Sequence, residues 1–542
     1  MTIKRVATTP FTDQKPGTSG IRKKTKVFMQ ERYLENYVQS VLGAISGAEG
    51  GTLIIGGDGR YFNRSAIQTI VKIAVAAKVA RVLVGVHGLI STPAMSHLIR
   101  LNGAWGGFIL SASHNPGGVD KDFGVKFNIG SGGPSTDAHN DEIFKATQSI
   151  SEYFISDSAD IDLDAIGDLM VDGVPVSIID GVSDYADLMQ SLFDFTAISG
   201  WLSSHSMVFD AMNGATGPYA RRIFCDILGV PAASVRRADP LEDFGGGHPD
   251  PNPANMPELM ELMYGAGAPD FAAASDGDGD RNLICGRGQF VSPSDSVALI
   301  AAGYWCVPAY RKGLLGVARS MPTSQAIDIV AKFLSVPYYE TPTGWKYFGN
   351  LMDAERVTFC GEESFGSGSN HIREKDGLWA VLYWLNMLAA RGMTVKELVE
   401  DHWRKFGRNY YCRHDYEGLP TAKADALMER LRNMLGSLIG AIYGEFHILK
   451  ADDFAYTDPT DGSVARNQGI RLCFADGSRI VMRLSGTGTE GATLRVYLER
   501  FTSVPSALFQ ETNAALAPLA DVAAQIADFA GNLGKSAPDV VV

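Results

Sequence analysis

The 542-residue sequence is poor in cysteine, and its six cysteines form neither a Cys-x-x-Cys motif nor the Cys/His spacing of a zinc site. They lie far apart along the chain, which favours free thiols in a reducing compartment. No stretch reaches the roughly 18 apolar residues that cross a bilayer, and residues 1–17 lack the apolar core of a signal peptide. These absences predict a cytoplasmic protein with no membrane partner.

Basic residues are also in deficit, because 48 Lys and Arg face 61 Asp and Glu, a formal net charge of −13. Such a charge repels polyanions, so nucleic acid is not an expected partner, whereas a local cluster of cations can still bind a small anion. A complete phosphate-binding P-loop is absent: the stretch GNLGKS at 531–536 has Phe529 where the first glycine should stand. ATP is therefore disfavoured as a phosphoryl donor. As a separate expectation, the protein is predicted to be a monomer rather than an oligomer.

The sequence does contain alternating apolar strands and amphipathic helices. The strand-like runs TLIIGGD at 52–58, RVLVGV at 81–86 and GGFILSAS at 106–113 are separated by helical segments. Continuous apolar strands of this kind are typical of parallel βαβ units whose sheet is covered on both faces. The amino-terminal part is therefore predicted to be an α/β domain.

This arrangement recurs along the chain. Residues 88–116 align by eye with 317–348, and a fainter copy covers 207–230. Three copies of one α/β unit are predicted, with polar loops at the carboxyl ends of their strands. The last part differs, because RNYYCRHDYEGL, IRLCFADGSRIVMRLSG and TLRVYLER indicate an antiparallel sheet in a separate α+β domain.

The segment DGDGDR at 276–281 places Asp276, Asp278 and Asp280 at alternate positions. Alternate side chains of an extended backbone point the same way, so three carboxylates can converge on one hard cation. An EF-hand is excluded, because its glycine and glutamate positions hold Arg281 and Arg287. An arginine beside a metal-binding triad suggests an anionic ligand shared by both, and phosphate suits that arrangement.

Four further loops carry polar side chains suited to an anionic or sugar ligand. Two are rich in glycine and hydroxyl groups and are flanked by cations, namely KPGTSGIRKK at 15–24 and RLSGTGTEGATLR at 483–495. GEESFG at 361–366 offers carboxylates to sugar hydroxyls, and TPTGWKYF at 341–348 adds a hydroxyl, an aromatic ring and a lysine. Each loop taken alone is equally compatible with an ordinary surface turn.

Ser113 lies in SASHNPGG, directly after an apolar strand. A serine hydrolase would need the G-x-S-x-G nucleophile elbow, which is absent around this residue. A phosphoryl acceptor instead needs a nearby metal, cations and N–H donors, all of which the other loops can supply. A simple turn closed by Pro116 is the alternative.

Taken together, SASHNPGG, DGDGDR, GEESFG and RLSGTG–EGATLR, in this order, resemble the α-D-phosphohexomutase superfamily and its glucose-specific phosphoglucomutase branch. The resemblance extends over nearly the whole chain. It implies three repeated mixed α/β domains and a C-terminal antiparallel α+β domain around a central cleft. The expected domains are 1–184 with the phosphoserine loop, 185–292 with the metal loop, 293–405 with the sugar loops and 406–542 with a phosphate-binding loop.

The resemblance also implies roles for individual residues. Ser113 matches the phosphoserine, and one Mg²⁺ per chain would be held by Ser113, Asp276, Asp278 and Asp280. The positions that match catalytic groups are Ser113, His114, Lys126, Arg281 and Lys375. The positions that match substrate-binding groups are Thr18, Arg22, Thr343, Gly344, Glu362 and Ser364, with Arg483, Ser485, Thr487 and Arg495 as a distal phosphate clamp.

The implied reaction interconverts glucose 1-phosphate and glucose 6-phosphate through glucose 1,6-bisphosphate, which also acts as an activator. His114, Lys126 and Lys375 all remain candidates for the group that handles the proton. Mannose- and glucosamine-phosphate mutases tend to carry Gly-His after the sugar-loop serine, whereas this chain has Phe365 and Gly366. Glucose is therefore the expected sugar, and another phosphohexomutase or a non-catalytic scaffold protein are the alternatives.

Overall fold

A computed structural model describes residues 3–485 and 491–542. Its four main sheets follow one another along the chain, and three of them share one topology. Among the described residues, none of the helices is long and apolar enough to cross a lipid bilayer.

The first sheet has seven strands around the parallel core that the apolar runs predict. Its strands, in spatial order, are Ile21–Lys24, Asp122–Ile129, Gly106–Leu110, Thr52–Gly57, Arg81–Leu89, Val174–Ile179 and Gly167–Val171. Its helices are Thr25–Phe28, Tyr33–Ala44, Asn63–Ala76, Thr92–Leu101 and Asp137–Ser149. A separate two-stranded sheet joins Ile3–Ala7 to Glu152–Ser156. Every residue of Gly106–Leu110 is buried, so this strand is a fixed base for the loop that follows it.

The second and third sheets are smaller versions of the first. The second has strands Val235–Arg236, Met207–Asp210, Phe271–Ala274, Leu283–Gly286 and Gln289–Val291, with helices Gly181–Leu192, Phe195–Leu202, Thr216–Ala220 and Pro257–Tyr264 and a π-helix Arg221–Ile227. The third has strands Tyr338–Thr341, Val317–Ser320, Phe359–Glu362 and Gly366–Ser369, with helices Pro293–Ala302, Ala326–Leu334, Trp345–Asp353, Gly377–Arg391 and Val395–Phe406.

The repeated unit is four strands in the spatial order 2-1-3-4, where the first three are parallel and the fourth is antiparallel. Its first strands are Thr52–Gly57, Met207–Asp210 and Val317–Ser320. The three copies predicted from the sequence are therefore confirmed, but the alignment of 88–116 with 317–348 was wrong by one strand–helix unit. Successive units of a βαβ fold share the same apolar pattern, so the pattern alone does not set the phase of the repeat.

The fourth sheet is entirely antiparallel, as predicted. Its strands, in spatial order, are Ile442–Tyr443, Phe446–Asp453, Ile470–Phe474, Arg479–Ser485, Ala492–Thr502, Arg408–Leu419 and Val540–Val541. Helices Thr421–Leu438, Thr512–Ala527 and Phe529–Leu533 accompany it, and a short hairpin pairs Tyr456–Thr457 with Val464–Ala465. Helices Thr421–Leu438 and Thr512–Ala527 pack against this sheet and form a separate core, which includes Leu427, Leu431, Leu516 and Leu519.

Candidate functional site

Three loops of equivalent position converge on one cleft of about 500 Å³. Each connects the third strand of a repeat to the fourth: the serine loop (111–121), the aspartate loop (275–282) and the glutamate loop (363–365). The carboxyl ends of parallel strands are where α/β sheets present their ligand-binding loops. Because the repeats face one another, each contributes a different chemical group to the same space.

Ser113 is almost fully buried, with 2% of its surface exposed, and has a left-handed backbone with φ of 54°. Its hydroxyl donates to Asp276 Oδ2 at 3.1 Å, and its amide donates to Ser111 Oγ at 2.7 Å. Its carbonyl accepts from Arg60 Nη2 at 2.8 Å. A left-handed non-glycine residue persists only where its surroundings hold it, so these contacts direct the hydroxyl toward the aspartate loop.

Asp276, Asp278 and Asp280 form the carboxylate cluster that the sequence predicts. One oxygen from each lies within 4.8 Å of the others, and all three side chains are buried. Asp278 Oδ1 and Asp280 Oδ1 have no hydrogen-bond partner among the described residues. Buried carboxylate oxygens without hydrogen bonds, in a cluster this close, fit a hard divalent cation, which prefers oxygen ligands.

The electrostatics of the cluster show the same need for a cation. Burial, followed by the charges of Asp278 and Asp280, raises the pKa of Asp276 well above its ordinary value. Burial also disfavours the ionised form of Asp278, but Lys126 at 2.5 Å and the Thr92 hydroxyl at 2.8 Å reverse that effect and lower its pKa. The triad therefore has one carboxylate stabilised by the protein and one that needs an added positive charge.

Cations surround this cluster, as predicted. Lys375 Nζ lies 3.2 Å from Asp280 Oδ2, and the Arg281 guanidinium is directed by Asp250, whose Oδ1 accepts from Nη1 at 3.0 Å. Burial opposes the charge of Lys375, but Asp280 and Glu362 outweigh it and raise its pKa, so this lysine is protonated at neutral pH. Arg22 lines the same cleft from the edge strand of the first sheet.

His114 follows Ser113, and its Nδ1 lies 3.4 Å from the Ser113 hydroxyl oxygen. Burial, then the charges of Arg281 and Arg22, lowers the pKa of His114 well below its ordinary value. The imidazole is therefore neutral at neutral pH and can accept a proton, which the protonated Lys375 cannot do.

A titration of the histidine signals by NMR will test this protonation state. We expect the His114 ring to remain neutral down to well below its ordinary pKa of about 6.5, because a buried imidazolium beside two arginines is unfavourable. The signal can be assigned by its loss in His114→Gln. A midpoint near the ordinary value would contradict the prediction.

The predicted sugar-binding residues line the same cleft. Glu362 Oε1 accepts from the Gly344 amide at 2.9 Å, and the buried Thr343 hydroxyl has no partner among the described residues. Gly344 has φ of 130°, a conformation that side chains rarely adopt. Ser364 and Thr18 complete this wall, which thus offers hydroxyl, carboxylate and backbone groups to a polyol.

The predicted distal clamp lies on the fourth sheet. Arg483 and Arg495 face each other in the register of neighbouring strands, and Ser485 ends the first of them. All three line the cleft. Thr487, the fourth predicted member, lies outside the described residues.

Several residues of the site were missed by the sequence analysis. Arg413 lines the cleft beside Arg483 and Arg495, with its Nε bound to both oxygens of Asp415. Thr92 binds the aspartate triad, and Arg60 holds the serine loop. Asp250 belongs to the Gly/Pro-rich segment GGGHPDPNPAN at 245–255, and the carboxylate in that segment was the available signal.

Comparison with family models covers nearly the whole chain. Three models of phosphoglucomutase/phosphomannomutase α/β/α domains match it: domain I at 13–154, domain II at 183–289 and domain III at 293–406. A model of the phosphoglucomutase-1 C-terminal domain matches 408–539.

Individual relatives are similar to this chain in sequence over nearly their full length. The chain is 56% identical to a phosphoglucomutase of Rhizobium radiobacter over 540 residues, which covers 99% of this chain and 100% of the relative. It is 47% identical to human phosphoglucomutase-1, with 99% of each covered. The crystal structure of the open form of parafusin, a phosphoglucomutase from Paramecium, superposes with a TM-score of 0.92 at 46% identity and covers 100% of this chain and 99% of parafusin.

Proposed function

We propose that this chain, which belongs to the phosphoglucomutase/phosphomannomutase family, interconverts glucose 1-phosphate and glucose 6-phosphate. One observation carries the proposal. The Ser113 hydroxyl lies against a buried aspartate triad, in a chain with full-length phosphoglucomutase relatives.

The cofactor that fits the triad best is Mg²⁺. Asp276, Asp278 and Asp280 supply only hard oxygen ligands, and a phosphoserine at position 113 would add another. When bound, the ion would offset the negative charge of the transferring phosphoryl group. We propose glucose 1,6-bisphosphate as intermediate and activator.

The chain's own residues then have separate tasks. Phospho-Ser113 gives its phosphoryl group to a free sugar hydroxyl, while Arg281 and Lys375 neutralise charge beside it. The proton that leaves the sugar hydroxyl must end on Ser113 Oγ. His114 is our choice to pass that proton on to Ser113, because a neutral imidazole has one nitrogen that accepts and one that donates, and its Nδ1 lies 3.4 Å from the Ser113 hydroxyl oxygen. Lys126 is bound to Asp278 and orients the triad.

The second half of the cycle needs the sugar to present its other phosphate. Glu362, Ser364, Thr343 and Gly344 would bind the sugar hydroxyls, and Thr18 and Arg22 would close that wall. Arg483, Ser485, Thr487 and Arg495 would hold the phosphate that is not reacting. Once the bisphosphate has turned round, Ser113 takes back the second phosphoryl group and releases the isomer.

We further propose four domains, one for each main sheet. The predicted division at 184/185 falls inside helix Gly181–Leu192, so we place it before residue 181. The predicted division at 292/293 is kept, whereas the one at 405/406 falls inside helix Val395–Phe406, so we place it after residue 406. Cytoplasmic location is supported by the six free cysteines, and sugar phosphates as the ligands by the cationic cleft. A monomer that binds no nucleic acid remains our proposal.

A coupled assay will test the activity. With Mg²⁺ and a catalytic amount of glucose 1,6-bisphosphate, we expect glucose 6-phosphate to form from glucose 1-phosphate with a kcat/KM about tenfold or more above that for mannose 1-phosphate, a contrast typical of a site built to bind each hydroxyl. Equal rates would favour a broader phosphohexomutase. No turnover of any hexose phosphate would favour the scaffold alternative.

A further inference from the structure

The adjacent residues Glu362 and Glu363 have different contacts in the cleft. Glu362 ends strand Phe359–Glu362 and binds the Gly344 amide on the sugar side. Glu363 comes next, in the turn that follows this strand. Its Oε2 accepts from the Ser320 hydroxyl at 3.1 Å, and its amide donates to Thr323 Oγ1 at 2.9 Å.

Residues 320–323 in turn lie between Glu363 and the fourth sheet. From that sheet, Arg479 donates to the carbonyls of Met321 at 2.7 Å and Thr323 at 2.6 Å, and Tyr411 donates to the Pro322 carbonyl at 2.8 Å. Glu363 is therefore fixed at the boundary between the third and fourth sheets.

One oxygen of Glu363 has no assigned task in the proposed reaction. Glu363 is 4% exposed, yet Oε1 has no hydrogen-bond partner among the described residues. The residue lines the same cleft as Arg413, Arg483 and Arg495. A buried carboxylate oxygen without a hydrogen bond is costly unless cations lie close to it.

Among the described residues, no cation forms an ion pair with Glu363, but the fourth sheet places arginines in the same cleft. Arg413 pairs in register with Tyr497, and Arg483 with Arg495, so these side chains form two neighbouring rows on one sheet. Burial lowers the pKa of Arg483, but Tyr497 and Glu363 outweigh it and raise the pKa. For Arg413, burial is likewise outweighed by Asp415, Tyr497 and Glu363. The negative charge of Glu363 therefore acts on two arginines across the boundary.

We propose that Glu363 is a positioning residue for the distal phosphate clamp. Its carboxylate holds the guanidinium groups of Arg483 and Arg413 toward the place of the non-reacting phosphate. This inference rests on the proposed function, because it assumes that Arg483 belongs to that clamp. It gives the paired glutamates separate tasks: Glu362 contacts the sugar, and Glu363 orients the groups that bind its phosphate.

Inorganic phosphate is the probe that separates this role from sugar binding. We measure its affinity by calorimetry without divalent metal for the wild type, Glu363→Gln, Arg483→Met and the double variant. We expect Glu363→Gln to weaken phosphate binding about fivefold or more, within the coupling range of residues that share a cavity, and to have less than about a twofold effect when Arg483 is already methionine. Glu363→Asp should recover part of the affinity.

Three results would overturn the proposal. Tighter phosphate binding by Glu363→Gln would mean that Glu363 only reduces the positive potential of the cleft. Unchanged phosphate binding with a raised KM for glucose 1-phosphate would mean that Glu363 binds sugar hydroxyls. An equal loss with and without Arg483 would mean that it does not act through that arginine.

Two controls complete the experiment. Glu258→Gln removes the same charge from an exposed site on helix Pro257–Tyr264 and should leave phosphate affinity unchanged. Unfolding midpoints will show whether each variant is folded at the assay temperature. Because phosphate binding needs no turnover, an inactive wild type would contradict the proposed function without deciding the role of Glu363.

Discussion

Exchange of Ser113 for alanine is expected to reduce the mutase rate by about 10⁴-fold or more, the scale on which enzymes lose activity without their nucleophile. The hydroxyl donates to Asp276 and is directed by contacts to both its amide and its carbonyl. Ser111, the other hydroxyl at the start of this loop, is occupied in accepting from the Ser113 amide. The coupled assay, with purified glucose 1,6-bisphosphate, measures the loss.

A second readout separates loss of the acceptor from loss of the site. Alanine keeps the carbonyl that binds Arg60, so the serine loop should be retained and glucose 1-phosphate should still bind. Intact-mass measurement should detect a phosphoryl adduct after incubation of the wild type with glucose 1,6-bisphosphate and none for Ser113→Ala. The exposed Ser151→Ala is the matched control and should behave as the wild type. A phosphorylated, active Ser113→Ala protein would remove Ser113 from the reaction.

The parts of this site that could be predicted from the sequence are those formed by consecutive residues. Asp276, Asp278 and Asp280 converge because the spacing within one loop already brings them together, and Ser113 follows an apolar strand that had to be buried. The C-terminal strand Arg408–Leu419 likewise coincides with the run RNYYCRHDYEGL that the sequence analysis assigned to an antiparallel sheet. The sequence pattern of one segment is sufficient to predict a site when all of the ligands lie in that segment.

The missed residues depend on contacts between distant parts of the chain. Thr92 reaches Asp278 from a helix start 186 positions away, and Arg60 reaches Ser113 across 53 positions. Each looks like an ordinary capping or strand-end residue in its own segment. The task of Glu363 was hidden for the same reason, since GEESFG shows two equal carboxylates until the fourth sheet is placed beside one of them.

The aspartate triad leads to the second large effect. Without divalent metal, we expect Asp276→Asn to be more stable to unfolding than the wild type, although its mutase rate with Mg²⁺ is lower by about 10³-fold, as for loss of a ligand to a catalytic metal. Asparagine is an uncharged analogue of the protonated carboxyl. Its Oδ1 can keep the hydrogen bonds from the amides of Gly279 at 3.1 Å and Arg281 at 3.0 Å.

The gain in stability should depend on pH with a definite sign. Burial and the neighbouring carboxylates raise the pKa of Asp276, so the wild type has the full stability contribution of this group below its ordinary pKa and loses it as the pH rises toward the folded value. Asp278 has a lowered pKa, so its contribution is already complete above its ordinary value. The difference in unfolding free energy between Asp276→Asn and the wild type should therefore increase as the pH rises above the ordinary aspartate pKa of about 3.9. Urea unfolding in EDTA measures it.

Mg²⁺ should reverse that order. A ligand that binds only the folded state stabilises it in proportion to the logarithm of its concentration over its dissociation constant. The wild type should gain this stabilisation because the ion removes the repulsion among its three carboxylates, whereas Asp276→Asn retains two carboxylates and binds weakly. A variant that is less stable than the wild type in EDTA, or equally stabilised by Mg²⁺, would show that the triad is not held in a repulsive arrangement that the metal relieves. If Mg²⁺ reverses the order of stability, the charge of Asp276 both lowers the unfolding free energy without metal and raises the affinity for Mg²⁺.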